Sequence, residues 1–131
     1  MVKKTGKTRK AIQLPRPISG LPFSDAIVVG NTVYLSGRIG FDPKTGFPPP
    51  AIEREVHLLM DGFAQVLAVA KMKMDDLVYV QVFCPDLSLY DEFNAIYRTY
   101  FKNDLPARAF IGSGPLLRGG HFEMIGVAVK P

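Results

Sequence analysis

Residues Leu77–Gly112 read LVYVQVFCPDLSLYDEFNAIYRTYFKNDLPARAFIG, and this stretch holds a complete strand–helix–strand unit. Leu77–Cys84 alternates with a period of two, with Leu77, Tyr79, Gln81 and Phe83 on one face and Val78, Val80, Val82 and Cys84 on the other. Pro85 ends that strand, because proline has no N–H for a ladder. Ser88 to Phe101 then reads as a helix with the apolar stripe Leu89, Phe93, Ile96 or Tyr97, and Tyr100. Ser88, followed three residues on by Asp91, resembles a capping box in which Asp replaces the usual Glu or Gln. Ala107–Gly112 is a second apolar strand. The Gly-rich loop Gly112-Ser113-Gly114-Pro115 leads on toward a last strand, Phe122–Val129.

Toward the N-terminus, residues 51–71 form a longer helix, since Ile52, Val56, Leu59, Phe63, Val66 and Ala70 recur at the 3.6-residue period. Before it, Ala26–Val29 and Thr32–Ser36 are β-rich runs joined by Gly30-Asn31, the spacing of a tight hairpin. Asp42-Pro43-Lys44-Thr45-Gly46 is a turn, and Pro48-Pro49-Pro50 forces an extended loop. Ala11–Leu14 reads as a short first strand. The order βββαβαββ predicts an α+β single domain over residues 11–131, with a mixed sheet and both helices packed on one face. Several strands are apolar on both faces, so the other sheet face calls for cover by another subunit.

Composition narrows the class. The 131 residues suit one domain, and 47% apolar content supports a real core. The net charge of +4 is a terminal property: residues 1–10 carry Lys3, Lys4, Lys7, Arg9 and Lys10 and no acid. Removing those five from the 16 basic residues leaves 11 against 12 acidic ones. Residues 1–10 therefore read as a basic, solvated tail on a nearly neutral domain. The tail has no aromatics to stack on bases, which argues against nucleic acid as a partner. No apolar run is long enough to span a bilayer and no signal-peptide pattern opens the chain. A single cysteine, Cys84, allows no internal disulfide and suits a reducing, cytoplasmic setting.

Candidate chemistry is reached by elimination. His57 and His121 with one distant cysteine are poor material for a metal site. His57 reads as a partly exposed helix residue and His121 as a surface residue at a loop–strand junction. No G-x-S-x-G elbow or P-loop is present. Cys84 sits in a core strand, where a buried thiol is commoner than a nucleophile. Two polar residues remain in the apolar C-terminal region. Arg108 precedes Ala109-Phe110-Ile111 and is either one half of a sheet-edge ion pair or a bidentate clamp for a carboxylate. Glu123, the one acid of the last strand, is either a solvated edge residue or a general acid/base holding a water.

Ser36-Gly37-Arg38-Ile39-Gly40 with Asp42-Pro43 and Thr45-Gly46 resembles the "SGQIG-x-DP-x-TG" fingerprint of the Rid family. These are the reactive-intermediate imine and enamine deaminases, also described as YjgF-like or L-PSP endoribonucleases. Pro22-Phe23-Ser24-Asp25-Ala26 is similar to the family's "PYSxA" segment, and Phe93–Tyr97 to its "xNxxY" helix. Pro106-Ala107-Arg108 matches "PAR", and Glu123 falls in the final "E-I-E-A-I-A" strand. Five segments in register between Pro22 and Val129 carry the resemblance.

The resemblance implies a chorismate-mutase-like fold assembled as a homotrimer, with clefts between subunits and no metal or organic cofactor. It implies that Arg108 binds the carboxylate of a 2-imino acid and that Glu123 positions the attacking water, giving a 2-oxo acid and ammonia. Phe23, Ser36, Gly37, Asn94 and Phe110 would line the cleft, partly from the neighbouring subunit. This chain departs from the pattern at Phe23, where the family has Tyr, at Ile125, which replaces a second acid, and at Phe110, where the deaminases often have Cys. Those departures point to a different or larger substrate, such as a conjugated enamine of the aminomuconate or aminoacrylate type, or to reduced turnover. A non-catalytic trimer that binds small carboxylates is the other reading. An endoribonuclease has least support, since the domain is not basic and no histidine pair is evident.

Overall fold

The computed structural model describes residues 8–16 and 20–131. The strands are β1 (Arg9–Ile12), β2 (Ala26–Val29), β3 (Thr32–Arg38), β4 (Leu77–Cys84), β5 (Ala107–Gly112) and β6 (Glu123–Val129), and the helices are α1 (Ile52–Val69) and α2 (Tyr90–Tyr97). They form one six-stranded sheet in the order β1-β2-β3-β6-β4-β5. Only the β4–β5 pair is parallel; every other pair is antiparallel. The strand–helix–strand unit thus sits at one end of an otherwise antiparallel sheet, with β5 as its edge strand.

The β2–β3 hairpin turns on Gly30, which takes φ 57°, a region glycine enters without a Cβ penalty. Helix α1 buries Val56, Leu59, Met60, Phe63, Val66 and Leu67, an arc wider than the predicted stripe. Glu53 and Glu55 in its first turn complement the helix dipole. Facing it are Val33 and Leu35 of β3, Val80, Val82 and Cys84 of β4, and Met124 and Ala128 of β6, all buried. Helix α2 adds Phe93, whose ring lies 4.9 Å from Phe122 and 5.5 Å from Phe110, close enough for aromatic pairing beyond area burial. Both helices therefore cover the same face.

Four local expectations are corrected. β1 begins at Arg9, so the basic tail gives its last two residues to the sheet, and residues 1–7 lie outside the described ones. The second helix is α-helical only over Tyr90–Tyr97, flanked by 3-10 turns at Leu87–Leu89 and Arg98–Tyr100. Its entry is capped by Asp86, whose carboxylate accepts from the Ser88 N–H (3.0 Å) and hydroxyl (2.7 Å), and not by a Ser88/Asp91 box. In β4 the alternation breaks where the register to β6 shifts between Leu77 and Tyr79. This irregularity turns Leu77 inward with Val80 and Val82 and leaves Val78 exposed.

The second sheet face is not covered by the described residues. Tyr34 is 53% exposed, Val129 39%, Tyr79 37% and Ile111 36%. Ile27, Phe83, Ile125 and Val127 are only half-buried.

Candidate active site

Register divides the predicted site residues between the two faces of the sheet. On β5, Arg108 pairs with Val80 and Phe110 with Val82. On β6, Gly126 and Met124 pair with the same two β4 residues. Arg108 and Phe110 therefore share the helix-covered side. Glu123 pairs with Phe83, one residue out of phase, and belongs to the open face. The structure therefore does not bring Arg108 and Glu123 into one pocket of a single chain. It places them in two separate pockets.

The first pocket lies between β5 and α2. A pocket of about 190 Å³ is lined by Tyr90, Asn94, Tyr97, Arg98, Leu105, Pro106 and Arg108. Asn94 and Tyr97 are three residues apart, hence on one helix face. The guanidinium carbon of Arg108 sits 4.7 Å from the Tyr97 ring centroid, 5.2 Å from Phe110 and 5.7 Å from Tyr90. A planar cation on aromatic faces is oriented without spending its N–H donors. Phe110 thus serves as a platform under Arg108, itself packed edge-on against Tyr90 at 4.9 Å.

The salt bridges among the described residues are Arg16–Asp25, Arg38–Asp25, Arg54–Asp42 and His121–Glu55, and Arg108 takes part in none. The edge-ion-pair reading of Arg108 is thereby removed. The same pocket holds two buried polar atoms with no hydrogen-bond partner, Asn94 Oδ1 and the Tyr97 hydroxyl. Such atoms are uncommon in folded proteins. Burial pushes the Tyr97 hydroxyl up to about 12, with the nearby Arg108 charge pulling the other way, so it is a neutral donor at physiological pH.

The second pocket lies where β3 leaves the sheet. Phe23, Ser36, Gly37, Ile39, Phe41, Leu117 and Glu123 line a cavity of about 340 Å³. Glu123 lies directly over Gly37, where a Cβ would overlap its Oε1 atom; only glycine admits that approach. The Ser36 hydroxyl donates to the Ser24 carbonyl. Beneath this wall Asp25 accepts from the Leu14 N–H at 2.8 Å and pairs with Arg16 and Arg38. Burial pulls the Asp25 carboxyl upward, but the Arg16 and Leu14 hydrogen bonds and the Arg38 and Arg16 charges outweigh it and hold the group below its usual range.

The remaining polar candidates are structural. Cys84 is fully buried, its thiol donates to the Asp86 carbonyl at 3.0 Å, and burial pushes its pKa up. His57 Nδ1 lies 2.8 Å from the Tyr100 hydroxyl. His121 is more than a surface residue: its N–H and its Nδ1 each lie 2.7 Å from the carboxyl of fully buried Glu55, tying β6's approach to α1. Among the described residues no three His, Cys, Asp or Glu side chains cluster as a metal would need. No helix is long and apolar enough to cross a membrane.

Sequence reasoning missed Tyr90 and Tyr97 as walls around Arg108, and Ile39, Phe41 and Leu117 around Glu123. Tyr97 had a signal in its i, i+3 spacing from Asn94. Leu117 had none, because its place depends on a loop.

The family model for endoribonuclease L-PSP matches residues 14–130. This chain belongs to the L-PSP family. The L-PSP chain is 32% identical over 124 residues to a mouse protein named 2-iminobutanoate/2-iminopropanoate deaminase, covering 93% of this chain and 92% of the mouse one. It is 31% identical over 117 residues to a RutC family protein of Sulfurisphaera tokodaii, covering 88% and 92%. Among solved structures, yeast Mmf1 superposes with a TM-score of 0.86 at 27% identity, covering 95% of this chain and 100% of that one. The family match spans β2 to β6 and both helices.

Proposed function

We propose that this protein is a hydrolytic deaminase of 2-imino acids, working in a cleft that two copies of the chain complete. The observation that carries this reading is Arg108, an arginine with no acidic partner among the described residues, lining one small pocket with Asn94 and Tyr97. A substrate carboxylate answers that arrangement. The guanidinium binds both oxygens, and the neutral Tyr97 hydroxyl has a proton left to donate. The name of the mouse relative supports the same class of reaction.

Arg108 and Glu123 lie on opposite faces, so a cleft holding both takes Arg108, Asn94 and Tyr97 from one copy and Phe23, Ser36, Gly37 and Glu123 from the next. The uncovered apolar face gives the copies a reason to associate, and a closed ring of three repeats one such interface three times. A cytoplasmic setting suits the buried, reduced Cys84.

In that cleft the steps balance without a cofactor. Arg108 orients the planar imine. Glu123 takes a proton from water as the oxygen bonds to the imine carbon, and the C=N π pair moves to nitrogen. For a protonated imine, Glu123 then passes that proton to the nitrogen, which leaves as ammonia while the C=O bond forms and the hydroxyl proton goes to Glu123, yielding a 2-oxo acid.

Mixing tests this directly. Arg108→Ala and Glu123→Gln chains are each expected to be inactive on imines generated in situ. Mixed, dissociated and reassembled one to one, about a quarter of the clefts would unite an intact Arg108 with an intact Glu123, and activity should return to that level. A mixture no more active than its components would overturn the shared cleft. No acceleration by the unaltered protein would overturn the deaminase.

A further inference from the structure

We propose that the wall formed by Phe23, Ile39, Phe41 and Leu117 selects 2-imino acids with large apolar side chains, and that Arg118 positions that wall. The proposal rests on the deaminase reading and names the substrate class of its second half-site.

The imine carbon must lie within one water of Glu123, so the side chain attached to it projects into the cavity Glu123 lines. Four of that cavity's seven residues are large and apolar. Phe23 is 46% exposed and Leu117 is 76% exposed. These two apolar groups stand in water until something covers them. The cavity's polar side chains are Ser36, whose proton is committed to the Ser24 carbonyl, and Glu123 itself. No cation lines it. A side-chain carboxylate there would meet Glu123 with nothing to neutralise it, whereas an alkyl or aryl group would bury itself and the wall together.

The wall is held in place. Leu117 sits on a short 3-10 turn whose next residue, Arg118, has φ 55°. A non-glycine residue keeps that conformation only when its surroundings hold it. Arg118 reaches across to the facing loop, where its Nη1 donates to the Gly46 carbonyl at 2.8 Å. Its guanidinium carbon lies 5.3 Å from the Phe47 ring centroid and 5.9 Å from Phe41. Phe41 therefore has Arg118 on one side and the cavity on the other. The clamp joins the 41–47 and 114–120 loops, and Leu117 is carried on it. The cavity, at about 340 Å³, is at the small end of ligand sites, which run from about 300 Å³, and suits a single side chain.

The test compares imines made in situ from alanine, leucine, phenylalanine and glutamate by an amino-acid oxidase. Each buried methylene is worth about fourfold, so kcat/KM should rise at least about tenfold from the alanine-derived to the leucine-derived imine, with the glutamate-derived one poorest. Leu117→Ser, at an exposed position, should shrink the leucine-to-alanine ratio several-fold. Arg118→Gly should shrink it too, with the loss appearing in KM more than in kcat. A flat or reversed series, or a ratio that survives both substitutions, overturns the proposal while leaving the deaminase standing. Calorimetry with the product 2-oxo acids reads the same wall without turnover. The leucine-derived product should bind at least about tenfold tighter than pyruvate, and equal affinities overturn the proposal even if no imine is hydrolysed.

Discussion

Arg108→Lys separates a carboxylate clamp from a structural cation. Lysine keeps the charge and most of the length, but replaces a planar fork with a point charge. One of two charge-assisted hydrogen bonds to the substrate is lost, and such bonds are worth about 1.5–3 kcal/mol. At tenfold per 1.4 kcal/mol, kcat/KM should fall roughly 10- to 150-fold. The protein should barely notice. Arg108 has no salt-bridge partner among the described residues, so no carboxylate is stranded when the guanidinium goes. What the fold loses is stacking on Tyr97, Tyr90 and Phe110, at 4.7, 5.7 and 5.2 Å, contacts worth about 0.5–1 kcal/mol each at most. Arg108→Ala should therefore abolish measurable activity while lowering stability by at most about 1.5–3 kcal/mol. The two assays are steady-state hydrolysis of an in situ imine and denaturant unfolding of the same preparations. A Lys variant within twofold of the unaltered protein would refute the clamp. An Ala variant losing the ~3–5 kcal/mol typical of a broken buried ion pair would return Arg108 to a structural role.

Other consequences follow from the same geometry. Gly37→Ala places a methyl in overlap with the Glu123 carboxylate, which must swing aside, and a displacement of about 1 Å costs ~10²-fold in kcat; an unaltered kcat would show that Glu123's position does not matter. Asp25, depressed below its ordinary 3.8, contributes stability that is present above 3.8 and lost as pH falls through its lowered folded value. Asp25→Asn should be about 1–3 kcal/mol less stable than the unaltered protein at pH 7, with the gap narrowing below pH 3.8; a gap that does not change with pH would refute the assignment. Glu55→Ala removes both partners of His121, at 2.7 Å each, and leaves a buried N–H unsatisfied. Unfolding should become easier by about 1–3 kcal/mol, and a change under 0.5 kcal/mol would show that a water or another group takes over.

Local patterning was enough for most of the fold. β2 and β5 fall on the residues the apolar runs picked out, and β4 begins and ends where its alternation and Pro85 place it. These signals are carried by near neighbours, so they survive in a one-dimensional reading. The misses are places where a distant partner decides. Val78 looks like a core residue by parity, yet the register shift against β6 turns it out. Glu55 is fully buried and meets His121, 66 residues away, through its carboxyl group, a partnership that helical spacing does not announce. The helix after Pro85 was too long on paper because 3-10 turns at both ends share its apolar spacing.

The candidate site divides along the same line. Residue type singled out Arg108 and Glu123, because a guanidinium suits a carboxylate and a lone acid can hold a water, and the family resemblance added Asn94, Ser36, Gly37, Phe23 and Phe110. Only the folded sheet settled which of them meet. A strand's period of two sends side chains to opposite faces, and pairing through β4 fixes Arg108 and Glu123 out of phase. That relation lives in hydrogen-bond register between strands far apart in the chain, which no stretch of sequence contains. It placed Arg108 and Glu123 in two separate pockets, left Arg108 without an ion-pair partner among the described residues, and exposed an apolar wall around Glu123 built from loops that meet only in three dimensions.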